Sequence, residues 1–140
     1  MLILNTKIIA QNTYIEKYQP IAKELSKEFG IPSAVIMSIA IIETGAGSSK
    51  SSQLHNNHFG LTSKNSTTGS KYRSFDSAKE SFRTFCESIA RRKYYQELKG
   101  NINPTDWINA IAAAGYSTKP TEWKKKILTA ISKYKLNEEL

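Results

Sequence analysis

The chain has 140 residues, of which 39% are hydrophobic and 23% are charged. This balance excludes a disordered chain, and the length suffices for one hydrophobic core but not for two ordinary domains. The longest apolar run, Ala34–Ile42, is far shorter than the roughly 20 residues that a membrane-spanning helix requires, so no membrane span is expected.

The net charge, the single cysteine and the two histidines indicate which kinds of partner and metal site can be expected. The net charge of +8 favours an anionic partner such as nucleic acid, acidic lipid or a bacterial wall polymer. The single cysteine, Cys86, excludes an intrachain disulfide, and its place on an apolar helix face predicts a buried, unreactive thiol. His55 and His58 have no acidic residue near them in sequence. We interpret them as loop residues and expect neither a metal nor a cofactor.

Two helices are predicted in the first third of the chain. Thr13–Glu16 has the form of a capping box, and apolar residues recur behind it at helical spacing as far as Phe29. Pro20 interrupts this pattern and is expected to kink or split the helix. Pro32 then begins a second helix, which is apolar almost all round as far as Thr44 and therefore belongs at the centre of a domain.

The character of the chain changes over residues 45–74, which are rich in Gly, Ser, Asn and Thr. A long polar segment of this kind inside a compact domain is usually functional. Its candidate strands are short and lie near His58–Leu61 and Lys71–Phe75. Further helices are expected after the capping box Ser77–Glu80, from Pro104 to Gly115 and from Thr121 to Tyr134. The predicted fold class is mainly α (α+β), a helical domain with a small irregular β lobe.

Glu43 is the residue that most invites a chemical interpretation. It ends the most apolar helix, and a glycine-containing turn follows it. A carboxyl group that loses solvation there has a raised pKa, and a carboxyl group protonated near neutral pH can donate its proton to a leaving oxygen, as a glycosidase general acid does. The alternative, a helix-terminal glutamate that points to solvent, stays open on these grounds.

Several motifs in order carry a family resemblance. They are Ile41–Ser49 (IIETGAGSS), Asn56–Leu61 (NNHFGL), Tyr72–Phe75 (YRSF) with Glu80–Phe82 (ESF), and Ala114–Thr118 (AGYST). Together they resemble the peptidoglycan endo-β-N-acetylglucosaminidases of glycoside hydrolase family 73, which occur in flagellar-rod hydrolases, autolysins and phage lysins. The resemblance covers roughly residues 13–135.

The resemblance implies a lysozyme-like fold and a set of site residues. It makes Glu43 the catalytic acid, places Asn57, Phe59 and Gly60 at the substrate cleft, and gives Tyr116 a place in the catalytic groove. Simpler interpretations stay open for three of them: Phe59 as a core residue, Asn57 as a turn residue and Tyr116 as a packing residue at a helix end.

One departure from the family pattern concerns the second acid. Many members carry an acidic residue on the β lobe, but no Asp or Glu occurs here from Thr44 to Phe75. The usual pair of carboxylates therefore cannot be completed from the lobe. Asp76 is the nearest candidate, and we expect it to help begin the helix that follows. Water, positioned by a group such as Tyr116, or the substrate's acetamido group is expected to act instead.

The sequence thus predicts a single domain over residues 1–140 that cleaves the β-1,4 bond after N-acetylglucosamine in bacterial wall glycan. The expected partners are peptidoglycan strands and anionic wall polymers, and the expected form is a monomer acting in the periplasm or outside the cell. The first residues, Met1–Asn5, do not have the form of a signal peptide. The alternatives are a muramidase or lytic transglycosylase, a non-catalytic wall-binding module and, least favoured, a nucleic-acid-binding domain.

Overall fold

The computed structural model describes residues 2–63 and 71–138, so most of the loop predicted between the two candidate strands lies outside the described residues. Within them the chain is mainly helical. The α-helices are α1 Leu2–Phe29, α2 Ser33–Thr44, α3 Lys50–His55, α4 Ala78–Ala90, α5 Tyr95–Leu98, α6 Pro104–Ala113 and α7 Pro120–Lys133, and a 3-10 helix follows at Leu136–Glu138.

Helix α2 forms the centre of the domain, as its apolar character predicts. Every residue from Ala34 to Ile41 is buried, and α1, α6, α7 and the 3-10 helix pack around it. Burying a large aliphatic side chain contributes about 1.5–3 kcal/mol, so this helix anchors the core. The helix begins after Pro32, whose fixed φ and missing N–H suit a helix start. Helix α4 also begins as predicted: the Ser77 hydroxyl accepts a hydrogen bond from the Glu80 N–H.

Helix α1 is longer and more continuous than its sequence predicts. It begins at Leu2 rather than near Thr13, and the Thr13 hydroxyl donates to the Ile9 carbonyl at 2.8 Å instead of capping a helix start. Of the two effects expected of Pro20, the split does not occur, because the helix continues through it, and the kink stays a prediction. Packing of α1 against α2 and α4 offsets the hydrogen bond that a proline removes from a helix.

The lobe between α2 and α4 contains less β structure than predicted and one helix that was not predicted. Helix α3 begins after Ser49, whose hydroxyl accepts from the Ser52 N–H. In the described part of the lobe the strands reduce to a single antiparallel bridge, Thr62 with Tyr72, flanked by a hydrogen bond from the Arg73 N–H to the Leu61 carbonyl. The lobe is therefore small and irregular, in agreement with the predicted fold class.

Two further sequence predictions concern burial and membranes. Cys86 is buried, as expected, and burial raises the pKa of its thiol to about 12, so it is unreactive near neutral pH. No helix in residues 2–63 and 71–138 combines the length and apolar character needed to cross a bilayer.

Candidate active site

Glu43 lies in the last turn of α2, where the chain leaves the core for the lobe. The chain turns directly after it because Gly45 adopts a left-handed conformation (φ 57°) and donates its N–H to the Ile41 carbonyl. Glu43 is an exposed residue, but its carboxyl group has enough protein around it to lose part of its hydration. Burial therefore raises the pKa of Glu43. Such a carboxyl group holds its proton nearer to neutral pH and can serve as a general acid.

Two hydrogen-bonding groups accompany this carboxyl group. The indole N–H of Trp123, in the first turn of α7, lowers the pKa of Glu43 against the effect of burial, although its geometry is not that of a hydrogen bond. Burial, and in second place the negative charge of Glu43, raises the pKa of Tyr116 well above its ordinary value. The aromatic rings of Trp123 and Tyr116 lie 5.2 Å apart between centroids. The carboxyl group of Glu43, the hydroxyl of Tyr116 and the indole N–H of Trp123 therefore lie in the same region of the domain.

The polar atoms of these two aromatic residues are buried and have no hydrogen-bond partner among the described residues. Unpaired buried polar atoms are uncommon, because each loses its hydration without compensation. The Tyr116 hydroxyl can donate or accept, whereas the Trp123 N–H can only donate. The site thus presents hydrogen-bonding capacity that the described protein leaves unused.

Gly60 brings the lobe against the carboxyl group of Glu43. A Cβ atom at this position would lie 3.7 Å from Glu43 Oε2, so any larger side chain there would extend over or beside the acid. Gly60 also has a φ of +63°, a conformation that residues with a Cβ adopt only with strain. The glycine leaves the carboxyl group open on this side.

Asn57 organises the lobe from inside. It is only 1% exposed, and its amide nitrogen donates to the Leu61 and Arg73 carbonyls at 2.8 and 2.9 Å. Its amide oxygen accepts from the N–H groups of Phe59 and Leu61 at 3.4 and 3.0 Å. All of these partners are backbone groups, so Asn57 fixes the path of the chain beside Glu43. A direct contact of Asn57 with substrate stays a prediction.

Phe59 belongs to the hydrophobic core. Its ring stacks on Phe85 at 4.2 Å between centroids with an interplanar angle of 11°, and it meets Phe82 edge-on at 4.9 Å. It is 3% exposed. This burial favours the simpler interpretation given above, in which Phe59 is a core residue.

Of the two histidines interpreted as loop residues, His55 is instead the last residue of α3. His58 does lie in the loop that follows, but its side chain is buried between the lobe and α1. Its Nδ1 lies 2.7 Å from the Tyr14 hydroxyl, and its ring packs against Tyr18 and Phe82. Burial, helped by the charge of Lys17, lowers the pKa of His58 to about 4. His58 is therefore neutral at neutral pH and links the lobe to α1.

Asp76 lies directly before the start of α4. Its side chain is exposed, and its own N–H donates to Glu80 Oε2 at 3.1 Å, directly before the Ser77 cap. The cap of α4 is thus Ser77, while Asp76 occupies the preceding turn. In the described residues, no group of three His, Cys, Asp or Glu side chains could hold a metal ion.

Of the predicted site residues, Glu43, Tyr116 and Gly60 come together, while Asn57 and Phe59 support them from the lobe and the core. Trp123 is the residue that the sequence reasoning missed. Its helical spacing identifies it only as an inward residue of α7, and it is indeed buried. Its proximity to Glu43 depends on the packing of α7 against α2, and no local sequence signal marks it.

Comparison with known proteins identifies the family and the fold. Residues 19–136 match the model of the Glucosaminidase family, described as mannosyl-glycoprotein endo-beta-N-acetylglucosaminidase. No curated protein sequence matches the chain.

Solved structures show the same fold. The catalytic domain of the autolysin Auto from Listeria monocytogenes is 20% identical with a TM-score of 0.77, over 92% of this chain and 86% of that one. A C-terminally truncated glycoside hydrolase domain of FlgJ from Salmonella typhimurium is 20% identical with a TM-score of 0.75, over 89% and 97%. A peptidoglycan hydrolase from Sphingomonas sp. A1 is 20% identical with a TM-score of 0.73, over 90% of each chain. The fold is therefore the lysozyme-like one that the sequence resemblance implies.

Proposed function

Because the chain belongs to the glucosaminidase family of glycoside hydrolases, we propose that it hydrolyses bacterial peptidoglycan at the β-1,4 bond after N-acetylglucosamine. The observation that carries this proposal is the setting of Glu43, an acid with a raised pKa beside the buried, unpartnered polar atoms of Tyr116 and Trp123. The neighbours in fold include an autolysin and a peptidoglycan hydrolase, which supports this choice of substrate.

In the first step Glu43 donates its proton to the glycosidic oxygen. The electron pair of the breaking bond between the anomeric carbon and that oxygen moves onto the oxygen, which leaves as the hydroxyl of the next sugar. Positive charge develops on the anomeric carbon and its ring oxygen. The ionised carboxylate that remains then stabilises this charge electrostatically.

The second step proceeds without a carboxylate from the lobe, because the sequence has none from Thr44 to Phe75. Water bonds directly to the anomeric carbon, or the oxygen of the substrate's own acetamido group bonds to it first. In the second case the bond to the acetamido oxygen breaks as water bonds to the anomeric carbon, and the acetamido group is restored. The attacking water finally gives one proton back to the Glu43 carboxylate, which restores the acid. We expect Tyr116, whose hydroxyl has no partner among the described residues, to orient the attacking water or the acetamido group.

The charge of the protein suits a wall-associated enzyme. The net charge of +8 attracts the chain to anionic wall polymers, and the exposed Lys125 and Lys126 on α7 contribute to this charge near the site. We propose a single-domain monomer over residues 1–140 that acts at the wall, in the periplasm or outside the cell, and uses neither metal nor cofactor.

The decisive experiment replaces Glu43 by Gln, which keeps the shape but removes the proton. Release of new reducing ends from purified walls should fall by about 10²–10⁴-fold, the usual contribution of a positioned general acid. The matched control is Glu97→Gln, the same change at an exposed glutamate of α5, which should keep wild-type activity. Unchanged thermal unfolding of Glu43→Gln shows that the fold is intact.

The products distinguish the alternatives. Mass spectrometry of the wild-type digest should show N-acetylglucosamine at the new reducing ends. Muramic acid at those ends would make the protein a muramidase, and an anhydro sugar would make it a lytic transglycosylase. Binding to walls without cleavage would identify a non-catalytic module. If Glu43→Gln keeps more than about a tenth of the activity, Glu43 is not the general acid.

A further inference from the structure

A cavity of about 420 Å³ opens between α1 and the lobe, and we call it the α1 cavity. Helix α1 contributes Tyr14, Lys17 and Tyr18 to its lining, and the lobe contributes Gln53, Asn56 and His58. Glu43 and the three residues described beside it do not line this cavity. The proposed cleavage steps therefore leave the α1 cavity without a use.

His58 is the most deeply buried polar residue of this lining. It is 3% exposed, and its Nδ1 lies 2.7 Å from the Tyr14 hydroxyl. Among the described residues that hydroxyl is the sole hydrogen-bond partner of the His58 ring, so the Nε2 atom is unpaired. Polar side chains buried to this extent usually have all their polar atoms paired. A ligand in the cavity can supply the missing partner.

Two side-chain amides of the lining are held in one orientation. The Asn56 amide nitrogen donates to the Phe75 carbonyl at 3.0 Å, and the Gln53 amide nitrogen donates to the Gly47 carbonyl at 3.2 Å. The amide oxygens of Asn56 and Gln53 have no hydrogen-bond partner among the described residues. Because the nitrogens are tied to the backbone, the oxygens are preorganised acceptors for a ligand.

The lining also supplies donors, which narrows the class of ligand. Lys17 alone among the lining residues is charged, and its Nζ lies 5.4 Å from the centroid of the Tyr18 ring. An oxyanion has only acceptors, so it would face the amide oxygens of Gln53 and Asn56 without a proton to share. A ligand that carries both donors and acceptors pairs with both kinds of group. Sugars with hydroxyl and acetamido groups have this chemistry, and the volume lies within the usual range for small-molecule sites, about 300–1,000 Å³.

We propose that the α1 cavity is a second glycan-binding site, which holds an acetamido sugar of the wall away from the bond that is cleaved. The choice of a wall sugar rests on the proposed function. A second contact with the same polymer makes the encounter with Glu43 intramolecular and raises its effective concentration. The α1 cavity should therefore matter on whole walls and not on short soluble fragments.

The first test measures binding alone, by NMR in Glu43→Gln labelled with ¹⁵N at histidine. The probe is a soluble trimer of β-1,4-linked N-acetylglucosamine. The imidazole resonances of His58 should shift saturably with a Kd of about 1 mM, and those of His55, which does not line the cavity, should shift less. No shift at His58 up to about 20 mM overturns the proposal, and so does a shift that acetate or phosphate produces and the trimer does not.

A blocking variant places this binding in the cavity. Ala10 lines the cavity from the exposed surface of α1, so Ala10→Trp should fill it and weaken the His58 response to the trimer by about tenfold or more. The matched control is Asn12→Trp, the same bulky side chain at an exposed position of α1 outside the lining, which should leave the response unchanged. A full His58 response in Ala10→Trp overturns the proposal.

The second test compares substrates in the otherwise wild-type enzyme. Ala10→Trp and Lys17→Met should lower the rate on purified walls by about three- to tenfold, and keep kcat and KM on short soluble fragments within about twofold of wild type. Asn12→Trp and Lys27→Met, whose lysine is exposed on α1 outside the lining, should change neither rate. An undiminished rate on walls, or an equal loss on both substrates, overturns the proposal.

The two proposals fail in different ways. If the wild-type protein cuts no glycan, or Glu43→Gln stays active, the proposed function or its acid is wrong, while the NMR titration with the trimer still decides whether the α1 cavity binds sugar. A silent His58 in an active enzyme contradicts the second site alone. If Ala10→Trp does not fold, Lys17→Met decides both tests, since it should weaken the His58 response and slow only the digestion of walls.

Discussion

Replacing Asn57 by Asp would reverse the polarity of one buried atom in the lobe and leave the side-chain shape nearly unchanged. The amide nitrogen that donates to the Leu61 and Arg73 carbonyls becomes an oxygen that faces both of them. Each lost hydrogen bond costs about 1 kcal/mol. A carboxylate that is almost fully buried against two carbonyl oxygens adds about 1 kcal/mol or more. We expect a loss of about 3 kcal/mol in the free energy of unfolding at pH 7.

This loss should depend on pH in a predictable direction. Burial and the two facing carbonyl oxygens raise the pKa of the introduced carboxyl group in the folded state above its value of about 3.9 in the unfolded chain. The folded state then binds more protons than the unfolded state between about pH 4 and pH 7, so stability falls as the pH rises. At pH 4 the protonated group can donate to one carbonyl again, and roughly half of the loss should be recovered.

Urea unfolding of the variant and the wild-type protein at pH 4 and pH 7 measures this difference. The matched control is Gln53→Glu, the same chemical change at an exposed amide that donates to the Gly47 carbonyl at 3.2 Å, where less than about 1 kcal/mol should be lost at either pH. An equal loss from Asn57→Asp at both pH values, or a loss below about 1 kcal/mol, would refute the account of Asn57 as the organiser of the lobe.

The other predictions concern the site and its support. Tyr116→Phe should reduce wall hydrolysis by about tenfold or more without lowering the melting temperature, because its hydroxyl has no described partner to lose. Asp76→Asn should keep nearly full activity, and a loss as severe as that of Glu43→Gln with an unchanged melting temperature would make Asp76 the second carboxylate. The pKa of about 4 for folded His58 lies below its unfolded value near 6.5, so wild-type stability should fall by about 2 kcal/mol as the pH drops from 6.5 to 4. Thermal unfolding of His58→Asn should show a correspondingly weaker dependence over that interval; an identical dependence in both proteins would contradict the assignment.

The parts of the fold that the sequence predicts correctly are those fixed by near neighbours. Helix α2 begins after Pro32 and helix α4 after Ser77, because a proline and a hydroxyl act on the first turn that follows them. The same local reasoning fails for α1. Thr13 has the sequence of a cap but lies in mid-helix, and the penalty of Pro20 is offset by packing against other helices. Tertiary contacts override local preferences in both places.

The residues of the candidate site also fall into two groups: those that short motifs reveal and those that only tertiary packing brings together. Glu43, Gly60 and Tyr116 lie in short motifs that the sequence displays, so the resemblance places them together. His58 lies in a loop as predicted, but the sequence does not reveal its burial, because its partner Tyr14 lies far away along the chain. Trp123 looks like one more core residue, since burial and helical spacing are all that its neighbours in sequence reveal. Its unpaired N–H becomes visible only when α7 is packed against α2.

The hydrogen bonds of Asn57 also limit how the backbone of the lobe near Glu43 can move. The Asn57 amide oxygen accepts hydrogen bonds from the N–H groups of Phe59 and Leu61. The Phe59 ring is stacked on Phe85 within the core. Opening these amides to solvent requires the core to loosen as well. We therefore expect hydrogen exchange at Phe59 and Leu61 to be as slow as exchange at the centre of α2, which reports global unfolding. On heating, the lobe backbone beside Glu43 should keep its shape until the whole domain melts in one cooperative step.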